Sequence, residues 1–258
     1  MTHWAEISRR FQDELLLPLK PLALYYAAEK PADALGYEGI GRGKCIVSLV
    51  YRAARKNCAA AFDLANHGCP GAGLYLGYRK MSERPDLHYF LSCGIAGKME
   101  GERYIKTPEL ARVRLDGMPS FAAPAPYCIF QPLEQIPAGT EPLAVIFLVP
   151  PDILSALVIL ADFANPENES NTAVHFASGC GHLVAWPIAE AARPHPRAVL
   201  GMFDISARPT VPPEVLSYTI PAALLREMAA NLDESFLTTD SWKIVKRRLA
   251  RQEKTAEL

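Results

Sequence analysis

A chain of 258 residues, half of them apolar, is long enough to bury a substantial core. Its 27 basic and 28 acidic residues leave a net charge of −1 and an isoelectric point near 6.6, which argues against nucleic-acid binding and against an anionic membrane surface. Six cysteines are too few for a disulfide scaffold. Glu6, Arg9, Arg10, Asp13 and Glu14 interrupt any leader-like apolar stretch, so reduced thiols in a cytoplasmic protein are expected.

The first predicted element is an amphipathic helix over about 5–17, with Ile7, Phe11, Leu15 and Leu16 at helical spacing. A short apolar strand, PLALYYAA from Pro21, follows, and then a loop carrying Gly36, Gly39, Gly41 and Gly43. KCIVSLVYRAAR reads as a helix with a basic end, and AAAFDLA as an extended piece leading into the glycine turn HGCPGAGLYLGY at 67–78. Pro70 suits the first position of a short helix there. TPELARVRLDGMP has a clear helix start: Thr107 as cap, Pro108 at the first position, Glu109 complementing the dipole.

The apolar run Leu143–Ala161 is long enough to cross a membrane, but Pro150, Pro151 and Asp152 at its middle point to strand, proline and helix instead. Val215–Phe236 repeats that pattern, and PLALYY at Pro21 matches PLAVIF at Pro142. A basic helix over about 241–251 ends the series, with Trp242, Val245 and Leu249 on one face. The order of elements predicts one α+β domain over 1–258, core about 17–236, with two sheet-and-helix units as a candidate duplication. The two strand–proline–helix segments should then occupy comparable positions on one sheet or on two related sheets.

Among chemical motifs, GIGRGKC at 39–45 fails as a P-loop. Glu38 stands where the first glycine belongs, and Cys45 where a magnesium-binding hydroxyl belongs. GCPGAG has the wrong glycine order for a dinucleotide fingerprint. No pair of cysteines has zinc-type spacing. Gly68-Cys69 and Gly179-Cys180 share a setting, each beside a histidine (His67 and His182, with His175 upstream), and Cys45 opens a helix. Small neighbours give room for a bulky inorganic ligand and N–H donors for its sulfurs, so Cys45, Cys69 and Cys180 are the candidate metal or cluster ligands. Gly68, Gly71, Gly73 and Arg208 are the candidate cofactor-binding positions. Cys58 and Cys128 are assigned to the core.

KCIVSLVYRAARKN, GCPGAGLYLGY, ERYIKTPELARVRLD, SGCGHLVAWPIAEA and LGMFDISARPTVPPEVLSYTIPAALLREMAANL together resemble the archaeal and bacterial family called domain of unknown function 169, over about Leu17–Phe236. The resemblance implies that Cys45, Cys69 and Cys180, with Asp204 and Arg208 of DISAR, belong to a shared pattern, and it supplies no activity. Cys58 stands where such chains commonly turn at glycine. The leading expectation is a binding protein whose cysteines hold an iron–sulfur cluster or another thiophilic metal. The alternatives are an enzyme or sensor for a small organic anion, using Arg42, Arg208 and a reactive Cys69 or Cys180, and a structural or partner-binding subunit. A homo-oligomer or a redox protein is the expected macromolecular partner, with neither nucleic acid nor membrane.

Overall fold

The computed structural model describes residues 3–256 other than Arg42 and Ala177; the anion-binding expectation for Arg42 therefore lies outside the described residues. In chain order the elements are α1 (His3–Leu15), β1 (Leu22–Ala27), α2 (Ile46–Lys56), β2 (Ala60–Phe62), α3 (Pro70–Tyr75), α4 (Leu87–Phe90), β3 (Gly94–Ile95), β4 (Met99–Glu100) and α5 (Pro108–Asp116). There follow β5 (Tyr127–Pro132), β6 (Ala144–Val149), α6 (Pro151–Ala161), β7 (Thr172–Val174), a π-helical turn (Gly181–Ala185) running into α7 (Trp186–Ala191), β8 (Ala198–Gly201), β9 (Leu216–Pro221), α8 (Ala222–Ala230) and α9 (Asp240–Ala256).

Seven strands form one mixed sheet in the order β2-β5-β1-β6-β9-β8-β7, antiparallel except for the β7–β8 pair. The chain is an α+β protein. The two strand–proline–helix segments become β6-α6 and β9-α8, whose strands pair antiparallel at the sheet centre, Val145 opposite Ile220 and Val149 opposite Leu216. Proline forces this shape locally: Pro151 and Pro221 lack the N–H that would extend the ladder, and Pro151 fits the first helical turn. No helix among the described residues is long and apolar enough to cross a membrane, so Leu143–Ala161 resolves into a buried strand and a helix.

The sheet is covered on both faces. Strand alternation sends Ala23, Tyr25, Val145, Phe147, Tyr218 and Ile220 to one face, which we call the sealed face, against α1, α6, α8 and α9. Leu22, Leu24, Phe130, Ile146 and Leu148 go to the opposite face, against α2, α3 and the π-turn. We call this second side the thiol face. On the sealed side Phe11 of α1 meets Phe147 at a ring-centroid distance of 5.5 Å, and Trp242 closes the layer by donating from its indole to the Glu14 carbonyl.

Local signals hold where they were strongest. The Thr107 hydroxyl accepts from Leu110 N–H at 3.3 Å, capping α5. α2 ends with Asn57 in the left-handed region (φ 52°), so asparagine makes the turn beside Cys58 that glycine makes elsewhere. Cys128 is fully buried between β1 and β2, as assigned to the core, whereas Cys58 is half-buried at the end of α2. The C-terminal helix begins at Asp240 and extends past residue 251.

Candidate thiol site

Each of the three candidate cysteines stands at the N-terminus of a helical segment: Cys45 before α2, Cys69 before α3, and Cys180 before the π-turn. Two glycines bring these ends together. At Gly68 (φ 77°) a Cβ would lie 2.4 Å from the Lys44 carbonyl oxygen and 3.2 Å from Ile46, so only glycine lets the Cys69 turn rest against the start of α2. At Gly179 a Cβ would lie 2.7 Å from a methyl of Val47. The residue before Cys69 and the residue before Cys180 thus both abut the first turn of α2, directly after Cys45.

The electrostatics follow from that convergence. Burial pushes the Cys45 and Cys180 thiols up; the neighbouring Cys69 raises both, and Cys45 adds to the rise at Cys180. N–H groups of Val47 and Ser48 partly offset the rise at Cys45. Ser178 Oγ lies 3.0 Å from Cys180 Sγ. Burial also raises the phenol of Tyr75, whose hydroxyl interacts with Ser178. All six cysteines are free thiols.

Asp204 holds the Cys180 loop. One carboxylate oxygen accepts from Gly179 N–H at 2.9 Å. The other accepts from the Tyr104 hydroxyl at 3.1 Å, from Ser206 N–H at 3.0 Å and from Ser206 Oγ at 2.8 Å. The chain reaches Asp204 through Met202, whose φ of 75° is strained for a residue with a side chain. Its carboxylate also contributes to the raised thiols of Cys45 and Cys180.

The remaining predicted positions divide. Gly71 leaves open the space beside Cys69, since a Cβ there would stand 3.8 Å from its sulfur. Gly73 serves packing: a Cβ would come within 2.7 Å of the buried His67 ring. Arg208 anchors a loop, its two terminal nitrogens donating to the carbonyls of Met202, Val215, Pro212 and Pro213 at 2.5–3.2 Å. No ion pair joins it to Asp204 among the described residues; the two are linked by Arg208 N–H donating to the Asp204 backbone carbonyl at 3.0 Å.

One expectation needs correction. Among the described residues no group of three or more His, Cys, Asp or Glu side chains is arranged to hold a metal ion, so Cys45, Cys69 and Cys180 are not a preassembled single-ion centre. Burial favours the protonated, uncharged thiol at Cys45 and Cys180, whereas tetrahedral bonds of roughly 2.3 Å to one ion would require thiolate sulfurs about 3.8 Å apart.

Sequence reasoning missed a second polar cluster beside the loop. His175 stacks on Trp186 at 3.8 Å with rings 5° from parallel, and its Nε2 lies 2.8 Å from Glu190. Arg197 donates twice to the same buried carboxylate, at 2.8 and 2.9 Å. Against the opposing pull of burial, Arg197 and His175 hold Glu190 below the usual carboxylate range. A separate open cleft of about 580 Å³ lies elsewhere, lined by Tyr25, Tyr26, Glu29, Lys30 and Gln131 among others and by none of the predicted site residues.

Fold and site together define a class: an α+β protein presenting three free thiols from three helix ends on one face of a mixed sheet. The family model of domain of unknown function 169, described as uncharacterised ArCR, matches residues 10–231, and the chain belongs to that family. No curated protein and no solved structure matches the chain.

Proposed function

We propose that the protein binds an iron–sulfur cluster through Cys45, Cys69 and Cys180. The observation that carries this reading is that both Gly-Cys turns abut the helix end that bears Cys45, at the two positions where a side chain would collide with α2. Charge supports it further. Burial and mutual proximity disfavour thiolates at Cys45 and Cys180, and a cationic inorganic group supplies the compensating charge while releasing their protons. A cluster spreads its thiolates more widely than one ion does, so the three helix ends would not have to bring their sulfurs to single-ion spacing. N–H groups at the helix ends would donate to its sulfurs, and a redox protein is the partner such a group would serve.

The raised thiol at Cys180 weighs against that residue as the activated cysteine of an enzyme or sensor, which needs a depressed thiol pKa. The engagement of Arg208 with four carbonyls removes its fork from anion recognition.

The test is anaerobic reconstitution with ferrous iron and sulfide, followed by iron and acid-labile sulfide analysis and visible absorption. Wild type is expected to retain both elements. Cys45→Ser, Cys69→Ser and Cys180→Ser should each lose most of them, and Cys93→Ser, at an exposed thiol, should lose none. Retention equal to that of a chain lacking all three cysteines would overturn the proposal.

A further inference from the structure

Four buried side-chain polar atoms have no hydrogen-bond partner in the protein among the described residues: His67 Nε2, His182 Nδ1, Ser217 Oγ and Thr219 Oγ1. Three of them fall in one patch. Ser217 and Thr219 are alternate residues of β9 and so share a sheet face, which Tyr218 and Ile220, both on the sealed side, identify as the thiol face. Ser217 lies opposite Gly201 of β8 and Leu148 of β6. Above them runs the π-turn with His182. A Cβ on Gly201 would fall 2.7 Å from His182 Cγ and 2.8 Å from Ser217 Oγ, so the imidazole rests on the bare glycine beside that hydroxyl.

The hydrogen-bond inventory of this patch is unbalanced. His182 Nε2 donates to the His175 carbonyl at 2.9 Å, which leaves Nδ1 as the ring nitrogen without a partner. The two hydroxyls can each donate and accept, yet none of the three atoms is satisfied. Native interiors rarely leave even one such atom unpaired, and water with two to four polar partners is the usual resolution. The helix above is also widened here: Pro187 has no N–H to give the Leu183 carbonyl, and its ring would collide with that oxygen in an α-helix, so the preceding residues take the π form.

We infer that the space between the π-turn and β9 is a hydration site, in which buried water bridges His182 Nδ1, Ser217 Oγ and Thr219 Oγ1. His182 follows Cys180 by two residues, so this water forms a polar floor under the turn that presents Cys180. The inference is independent of what the thiols bind. A crystal structure at a resolution that orders internal water tests it, together with Thr219→Val, which keeps the shape and removes one partner. The expected result is a water peak within hydrogen-bond distance of at least two of the three atoms, and a melting temperature lowered by about 2–4 °C in Thr219→Val. Absence of that peak, or a variant whose melting temperature is unchanged or raised because a dry hydroxyl has been removed, overturns it. Ser217→Ala serves as the second variant if Thr219→Val does not fold, with the same two outcomes.

Discussion

The two faces of the central sheet are built to different rules. The sealed face is closed by Trp4, Phe11, Phe147, Tyr218 and their aliphatic neighbours, and its buried polar groups are partnered: Ser8 accepts from Gln12, and Ser235 donates to the Leu232 carbonyl. The thiol face carries buried cysteines, histidines and hydroxyls, and the orphaned atoms of His182, Ser217 and Thr219. Apolar contact is cheap to satisfy from every side, whereas a buried polar atom left unpaired is destabilising and persists only where something else partners it. The difference teaches that the sealed face supplies stability, while the thiol face is where the proposed binding falls.

The largest expected effect breaks the sealed face. Phe147→Ala removes a side chain 1 % exposed and packed at a tilt against Phe11, and should cost about 3–5 kcal/mol in denaturant unfolding. If any of this variant remains folded, its thiol site should bind as wild type does, because Phe147 faces away from it. Next, Glu190→Ala removes the carboxylate between His175 and Arg197 on the thiol side and should cost about 3 kcal/mol. Its pH dependence has a definite sign. A carboxyl held below its unfolded value stabilises the fold above the unfolded pKa, and that contribution is lost as pH falls through the lowered folded value. Wild type should therefore lose melting temperature on acidification more steeply than Glu190→Gln, and parallel curves would contradict the pairing.

Gly68→Ala sharpens the comparison. It places a side chain at φ 77° and against the Lys44 carbonyl, and should cost about 2 kcal/mol. Iron retention should fall more than stability does, because the Cys69 turn is pushed off α2. Smallest of all, Cys93→Ser at an exposed thiol should shift stability by less than about 0.5 kcal/mol and leave bound iron unchanged.

Much of this was legible in the sequence wherever local chemistry decides the structure. Pro151 and Pro221 mark the strand-to-helix switches, Thr107 caps its helix, and the two Gly-Cys turns stand out because only glycine permits their close approach. What escaped depends on partners distant in sequence. β5 pairs with β1 across about a hundred residues, and its YCIFQP carries no turn signal that would announce the register. Met202 adopts a left-handed conformation with no glycine or asparagine to advertise it, yet it delivers Asp204 to the Gly179 amide. Tyr104 and Ser178 were invisible as site residues because a hydroxyl acquires a role only from what folds against it. Arg208 matched a charged motif, and the prolines that follow it, Pro212 and Pro213, supplied the carbonyls that engage it.

Cys45, Cys69 and Cys180 are proposed to act as one site. The most direct measurement is an anomalous-difference map at the iron absorption edge, from crystals of anaerobically reconstituted protein. A shared cluster should give a single strong peak lying among the three sulfurs, at the convergence of the three helix ends. A peak elsewhere, or no peak with the three sulfurs closed onto apolar neighbours, would contradict it.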